Sequence, residues 1–163
     1  MPPIVKIQDV VNEIDTISSF SNEHYGYINN EYHAYLNRQT GELVTISNEE
    51  ICAVEEEHEL EDYPNWQQEM IQQARQVLES DDYLQLPSKF DIHEYSIIKQ
   101  FCYRIKDTEL SNELLFKIQG SGAFRRFKHA IHRYNLTDDW YSYRQQALEQ
   151  IAIDWLKANS IPY

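Results

Sequence analysis

The run Gly120-Ser121-Gly122-Ala123-Phe124-Arg125-Arg126 is where residue types and spacing come closest to chemistry in this chain. Backbone N–H groups of a glycine-rich turn that opens a helix can cradle an anion. Two guanidiniums beside them can fork onto phosphate or carboxylate. Yet arginine is electrostatically misplaced in a first helical turn, where the macrodipole already places partial positive charge. A negative group must compensate. It is either an external anion held by Gly120, Ser121, Gly122, Arg125 and Arg126, or an internal carboxylate such as Asp138, Asp139 or Asp154. We expect Arg126 to take the internal partner and Arg125 to stay exposed. Helical spacing places Phe124, Phe127, Ile131 and Tyr134 on an inward stripe. Arg125, Lys128, His129 and His132 then share an adjoining face, with Arg133 alongside. Further on, Trp140, Tyr141 and Tyr143 lie beside Arg144, a combination enriched at binding hot spots. Packing of Trp140 and Tyr141 on the preceding helix is the competing reading.

Other chemistries lack their residues. A dinucleotide fingerprint needs a third glycine where Arg125 stands, and it must follow a strand. No P-loop lysine follows the turn, and the triplet lacks the frame of a hydrolase elbow. A di-iron bundle needs two Glu-x-x-His pairs, and only Glu55 with His58 is present. His129 and His132 are one turn apart but have no matching carboxylate, so we assign no metal site and no cofactor. Cys52 and Cys102 stand far apart without metal spacing and read as reduced thiols of a cytoplasmic protein. The acidic N-terminal segment has no secretory pattern. No apolar run reaches the roughly 20 residues of a membrane helix.

Charge is unevenly placed over the 163 residues, whose net charge is −13. Residues 1–82 hold 18 acidic and 3 basic residues, against 9 and 11 in residues 83–163. The acidic half disfavours nucleic acid and membrane surfaces and suits a basic protein partner, with a role in solubility alone as the competing reading. Glu55, Glu56, Glu57 and Glu59 form the densest part of that candidate partner surface.

These groups need elements to position them. Ile4, Ile7, Val11 and Ile14 recur at helical spacing and predict a short first helix. The polar stretch from Ser18 to Asn30 predicts a loop, with a possible strand at Tyr25–Ile28. Residues 31–46 predict an antiparallel hairpin, its two strand-forming runs flanking Gln39-Thr40-Gly41. From Asn48 to Asn159 the pattern is helical. Ser47 or Asn48 caps the first of these helices, and Pro64 opens the second, with Trp66, Met70, Ala74, Val77 and Leu78 inward. Asp91 caps a third that buries Ile97, Ile98, Phe101 and Ile105. A fourth covers 109–118, the Arg-bearing helix covers 122–134, and Thr137 caps the last, which buries Leu148, Ile151, Ala152 and Trp155. About six helices with one small hairpin predict an α+β, mostly α-helical chain forming a single domain over 1–163.

The stretch from Gly120 to Lys128, with Asp139-Trp140-Tyr141-Ser142-Tyr143-Arg144 after it, resembles the signature of an uncharacterised bacterial protein family of the UPF class. Members share Gly-x-Gly-Ala-Phe-Arg-Arg-Phe-Lys followed by an acidic-Trp-Tyr-x-x-Arg helix. The Tyr32–Ile46 hairpin is similar to the family's N-terminal portion. The resemblance covers about half the chain and implies a bacterial cytosolic domain without an assigned activity. Together these features point to a non-enzymatic binding or regulatory protein. One alternative binds nucleic acid or a phosphate ligand through the Gly-Ser-Gly/Arg-Arg helix start. Another is an acidic inhibitor or immunity-like protein that masks a basic partner.

Overall fold

The computed structural model describes residues 3–23 and 31–163. Strands β1 (Tyr32–Asn37) and β2 (Leu43–Ser47) pair antiparallel, in register from Tyr32 opposite Ser47 to Leu36 opposite Leu43. The connection forms because Asn37 Oδ1 accepts the N–H groups of Gln39 (2.8 Å) and Thr40 (3.1 Å), which bends the chain. Gly41 then takes φ +77° and donates to the Asn37 carbonyl at 2.8 Å. A Cβ on Gly41 would come within 3.2 Å of the Pro3 ring. The hairpin thus lies where the sequence places it. A further strand, β3 (Tyr83–Gln85), pairs antiparallel with the other edge of β1, giving the order β2-β1-β3.

Chain contacts divide the described residues into two units, 3–91 with 151–163, and 92–150. In the first, alternation makes both faces of β1 apolar. Tyr35 lies with Val44, Ile46, Ile51, Ala74 and Val77 in one buried cluster, and Ala34 and Leu36, pointing the other way, are also buried. That cluster joins β2 to helices α2 (Asn48–Glu55) and α3 (Asn65–Glu79). Ser47 caps α2, its hydroxyl accepting from the Glu50 N–H. Helix α1 (Ile7–Glu23) buries Val10, Val11, Ile14 and Ile17, and its Glu13 accepts a 2.7 Å bond from Thr45 of β2. It continues past Ser18, where the sequence suggests a loop. The suggested strand at Tyr25–Ile28 lies outside the described residues. The buried stripe of α3 is Gln67, Ile71, Ala74 and Val77, so Trp66 and Met70, expected inward, are exposed.

In the second unit, α5 (Glu94–Tyr103), α6 (Thr108–Lys117) and α7 (Ala123–Arg133) precede α8 (Thr137–Ala158), whose last turns belong to the first unit. Asp107 caps α6 by accepting from the N–H groups of Glu109 and Leu110. The expected single helix after Asp91 is broken. Ser88 caps a short α4 (Lys89–Ile92), Asp91 reaches back to the Ser88 N–H, and His93 adopts a left-handed φ of 51° before α5 begins. Phe101, Phe127 and Trp140 meet edge-to-face in the core, with ring centres 4.9–6.1 Å apart. Of the residues expected inward on α8, Leu148 and Ala152 are buried and Ile151 and Trp155 half-buried. The architecture is α+β and mostly helical, as the sequence implies.

Candidate functional site

The turn between α6 and α7 is built from two left-handed glycines, Gly120 (φ +75°) and Gly122 (φ +79°). They serve different ends. Nothing lies within 4 Å of a Cβ placed on Gly120, so only its backbone conformation calls for glycine. A Cβ on Gly122 would stand 2.9 Å from Arg126 Nη1, so that position also makes room for a side chain.

Arg126 folds back over the turn. Its Nε donates to the Lys117 carbonyl at 2.6 Å, Nη2 to Gln119 at 2.6 Å and Nη1 to Ser121 at 2.5 Å. The negative groups that make this arginine tolerable at a helix start are therefore the Lys117 carbonyl at the C-terminal end of α6 and the Gln119 and Ser121 carbonyls of the turn after it. The last carbonyls of α6 have no intrahelical donors and carry the negative pole of its dipole. The guanidinium supplies donors and opposite charge together. Arg126 has an internal partner, as expected, but backbone carbonyls take the place foreseen for Asp138, Asp139 or Asp154.

The remaining sequence-derived residues separate into buried and outward groups. Trp140 is buried in the aromatic core. Arg144 forms a two-pronged, largely buried pair with Glu94, with Nε–Oε1 at 2.7 Å and Nη2–Oε2 at 3.3 Å. Neither is offered to a partner. Arg125, Lys128, His129 and His132 recur at i, i+3, i+4 and i+7 along α7 and are all exposed. None of the four has a carboxylate within ion-pair distance among the described residues. Arg133 is also exposed and lies over the Tyr134 ring, 5.7 Å from its centre. Phe124, expected inward, is 40% exposed, because Ala123, Phe127, Ala130 and Ile131 form the buried stripe. Phe116 of α6 is 74% exposed, which the sequence does not reveal, since helical period alone does not show which apolar residue lacks a neighbour.

Beside α7, the Tyr134 hydroxyl donates to Glu113 Oε1 at 2.6 Å. That bond, assisted by Lys117, holds the Glu113 carboxyl below its usual range, and the same bond raises the Tyr134 phenol.

The acidic run forms a second surface, on the other unit. Glu55, Glu56, Glu57 and Glu59 are all exposed. His58 lies beyond the end of α2 at Glu55 and is held between Glu56 (2.8 Å) and the Tyr63 hydroxyl (2.7 Å), so the two residues do not form the Glu-x-x-His pair on one helix that a di-iron motif requires. A cleft of about 480 Å³ opens here, lined by Glu57, Glu59, Glu61 and Glu79 with Arg75. Cys52 and Cys102 are unpaired, and burial pushes the Cys102 thiol up to about 11. Among the described residues, no helix is long and apolar enough to cross a membrane.

A family model described as an uncharacterised protein family, UPF0158, matches residues 16–163. The chain belongs to that family. It is also 30% identical over 66 residues to the UPF0158 protein PA5073 of Pseudomonas aeruginosa. That match covers 40% of this chain and 43% of the relative, less than half of either. No solved structure matches the chain.

Proposed function

We propose that this member of the UPF0158 family is a cytosolic binding or regulatory protein rather than an enzyme, and that it takes an anionic protein partner on the outer face of α7. The observation that carries this reading is the row Arg125, Lys128, His129 and His132, exposed and without carboxylate partners among the described residues. A surface cation ordinarily finds a neighbouring carboxylate or adds only to solubility. Here Arg125 and Lys128, one helical turn apart and flanked by the hydrogen-bonding imidazoles of His129 and His132, give a positive patch that steers and orients an acidic partner. The Gly120–Gly122 turn acts behind it as a brace: Arg126 closes the turn and fixes where α7 starts. The phosphate-ligand reading loses the turn, because its Arg126 donors are already engaged by the carbonyls of Lys117, Gln119 and Ser121.

The test compares the wild type with an Arg125→Glu/Lys128→Glu variant, using a labelled poly-glutamate peptide and duplex DNA as separate probes. The expected result is salt-sensitive binding of the peptide by the wild type, its loss in the variant, and no comparable binding of DNA. Equal peptide binding by both proteins removes the reading, and DNA binding without peptide binding replaces it with the nucleic-acid one.

The cleft among Glu57, Glu59, Glu61 and Glu79 favours a second reading, in which the first unit masks a basic partner. Substituting glutamine for Glu55, Glu56, Glu57 and Glu59 should then abolish capture of a poly-lysine probe while leaving the far-UV spectrum unchanged.

A further inference from the structure

A separate cleft in the second unit, of about 390 Å³, lies at the C-terminal end of α5 and the first turns of α8. Its size is at the lower end of the roughly 300–1,000 Å³ of small-molecule sites. Its apolar part comes from Phe101, Ile105, Leu136 and the Tyr143 ring. Its charges are of both signs. Arg104 and Lys106 contribute from the end of α5, and Asp139 from the first turn of α8.

The three charges do not neutralise one another. No ion pair within 4 Å joins Asp139 to Arg104 or Lys106, although all three line one cleft. The Arg104 guanidinium lies over the Tyr143 ring, 5.1 Å from its centre. An aromatic face holds the plane of a guanidinium while leaving its N–H donors at the edge for another acceptor.

This arrangement selects among ligand classes. A purely anionic ligand, such as a nucleotide, would meet Asp139 as a like charge. A cationic one would meet Arg104 and Lys106. A neutral apolar molecule would leave all three charges partly desolvated without partners. A zwitterion with an apolar body satisfies both signs and covers the aromatic and aliphatic wall. We propose that this cleft binds a free α-amino acid with an apolar side chain. Its carboxylate is held by Arg104 and Lys106, its ammonium by Asp139, and its side chain by Ile105, Leu136 and Tyr143. The proposal is independent of the α7 surface.

Titration calorimetry of the full chain with L-leucine and L-phenylalanine tests it. Leucinamide, which lacks the carboxylate, and N-acetyl-leucine, which lacks the ammonium, serve as probes of each charge. Saturable binding of at least one amino acid is expected, weaker by about tenfold or more for both analogues, since hydrogen bonds to charged groups carry most of the discrimination. Arg104→Gln and Asp139→Asn should each weaken binding by a similar factor. Both residues are exposed, so both variants should fold. Arg125→Glu/Lys128→Glu should leave amino-acid binding unchanged. Absence of saturable binding by either amino acid, equal binding of the analogues, or wild-type affinity in both cleft variants overturns the proposal.

Discussion

At the scale of single residues, two adjacent arginines illustrate how one residue type takes opposite roles. Arg126 satisfies the last carbonyl of α6 and two carbonyls of the turn after it, and Arg125, one position earlier, is exposed. Arg126→Ala should therefore destabilise the chain by about 2 kcal/mol, the order expected when carbonyls lose a charged donor at a partly exposed site. Arg125→Ala should change stability by less than about 0.5 kcal/mol. Thermal melts of the two variants measure this, and similar losses in both would contradict the assignment. The sequence shows that an arginine here needs a negative neighbour. It does not show that the neighbour is a helix end and the turn after it, because that depends on how α6 closes against α7. Glu113 gives a pH-dependent counterpart. Its folded-state pKa is depressed, first by the Tyr134 bond. The stabilisation is therefore present above the ordinary carboxylate pKa and is lost as pH falls through the lower folded value. Tyr134→Phe should return the Glu113 titration towards its ordinary range and reduce the pH dependence of stability on the acid side. Carboxyl NMR titration checks this, and an unmoved Glu113 would show that Lys117 rather than Tyr134 holds it.

At the scale of elements, hydrophobic period and turn chemistry made the β1–β2 hairpin and most helices legible, while three features escaped for separate reasons. Strand β3 is only Tyr83–Gln85, too short for alternation to register, and exists because the free edge of β1 accepts it. On α3 the large residues Trp66 and Met70 suggested the wrong stripe. The buried row begins instead at Gln67, a polar residue that a count of apolar positions ignores. The break at His93 has no glycine or proline to announce it. Gly41 is the opposite case, a turn residue whose role could be read directly. Its left-handed φ and its closeness to Pro3 make Gly41→Ala doubly unfavourable. The backbone term alone is about 1–2 kcal/mol. A urea titration should show at least that loss. A neutral result would mean that the hairpin loop relaxes to another conformation.

At the scale of the whole molecule, charge is segregated more sharply than helices and strands are. Residues 92–150 carry nine Lys and Arg against seven Asp and Glu, so the remainder, with five basic and 20 acidic residues, carries the whole of the net negative charge. Such a distribution costs stability through self-repulsion, most strongly where Glu55, Glu56, Glu57, Glu59, Glu61 and Asp62 crowd one exposed segment. Salt should relieve that repulsion, since the Debye length falls from about 10 Å at 0.1 M to about 3 Å at 1 M. The melting temperature should therefore rise with sodium chloride. Glutamine at positions 55, 56, 57 and 59 should raise it in low salt and flatten its salt dependence. If the same variant also loses the poly-lysine probe, the carboxylates oppose folding and favour binding, which is the relation expected of a surface retained for a partner. If instead it melts lower than the wild type at every salt concentration, the carboxylates stabilise the fold locally, and the acidic run has a structural role in place of a binding one.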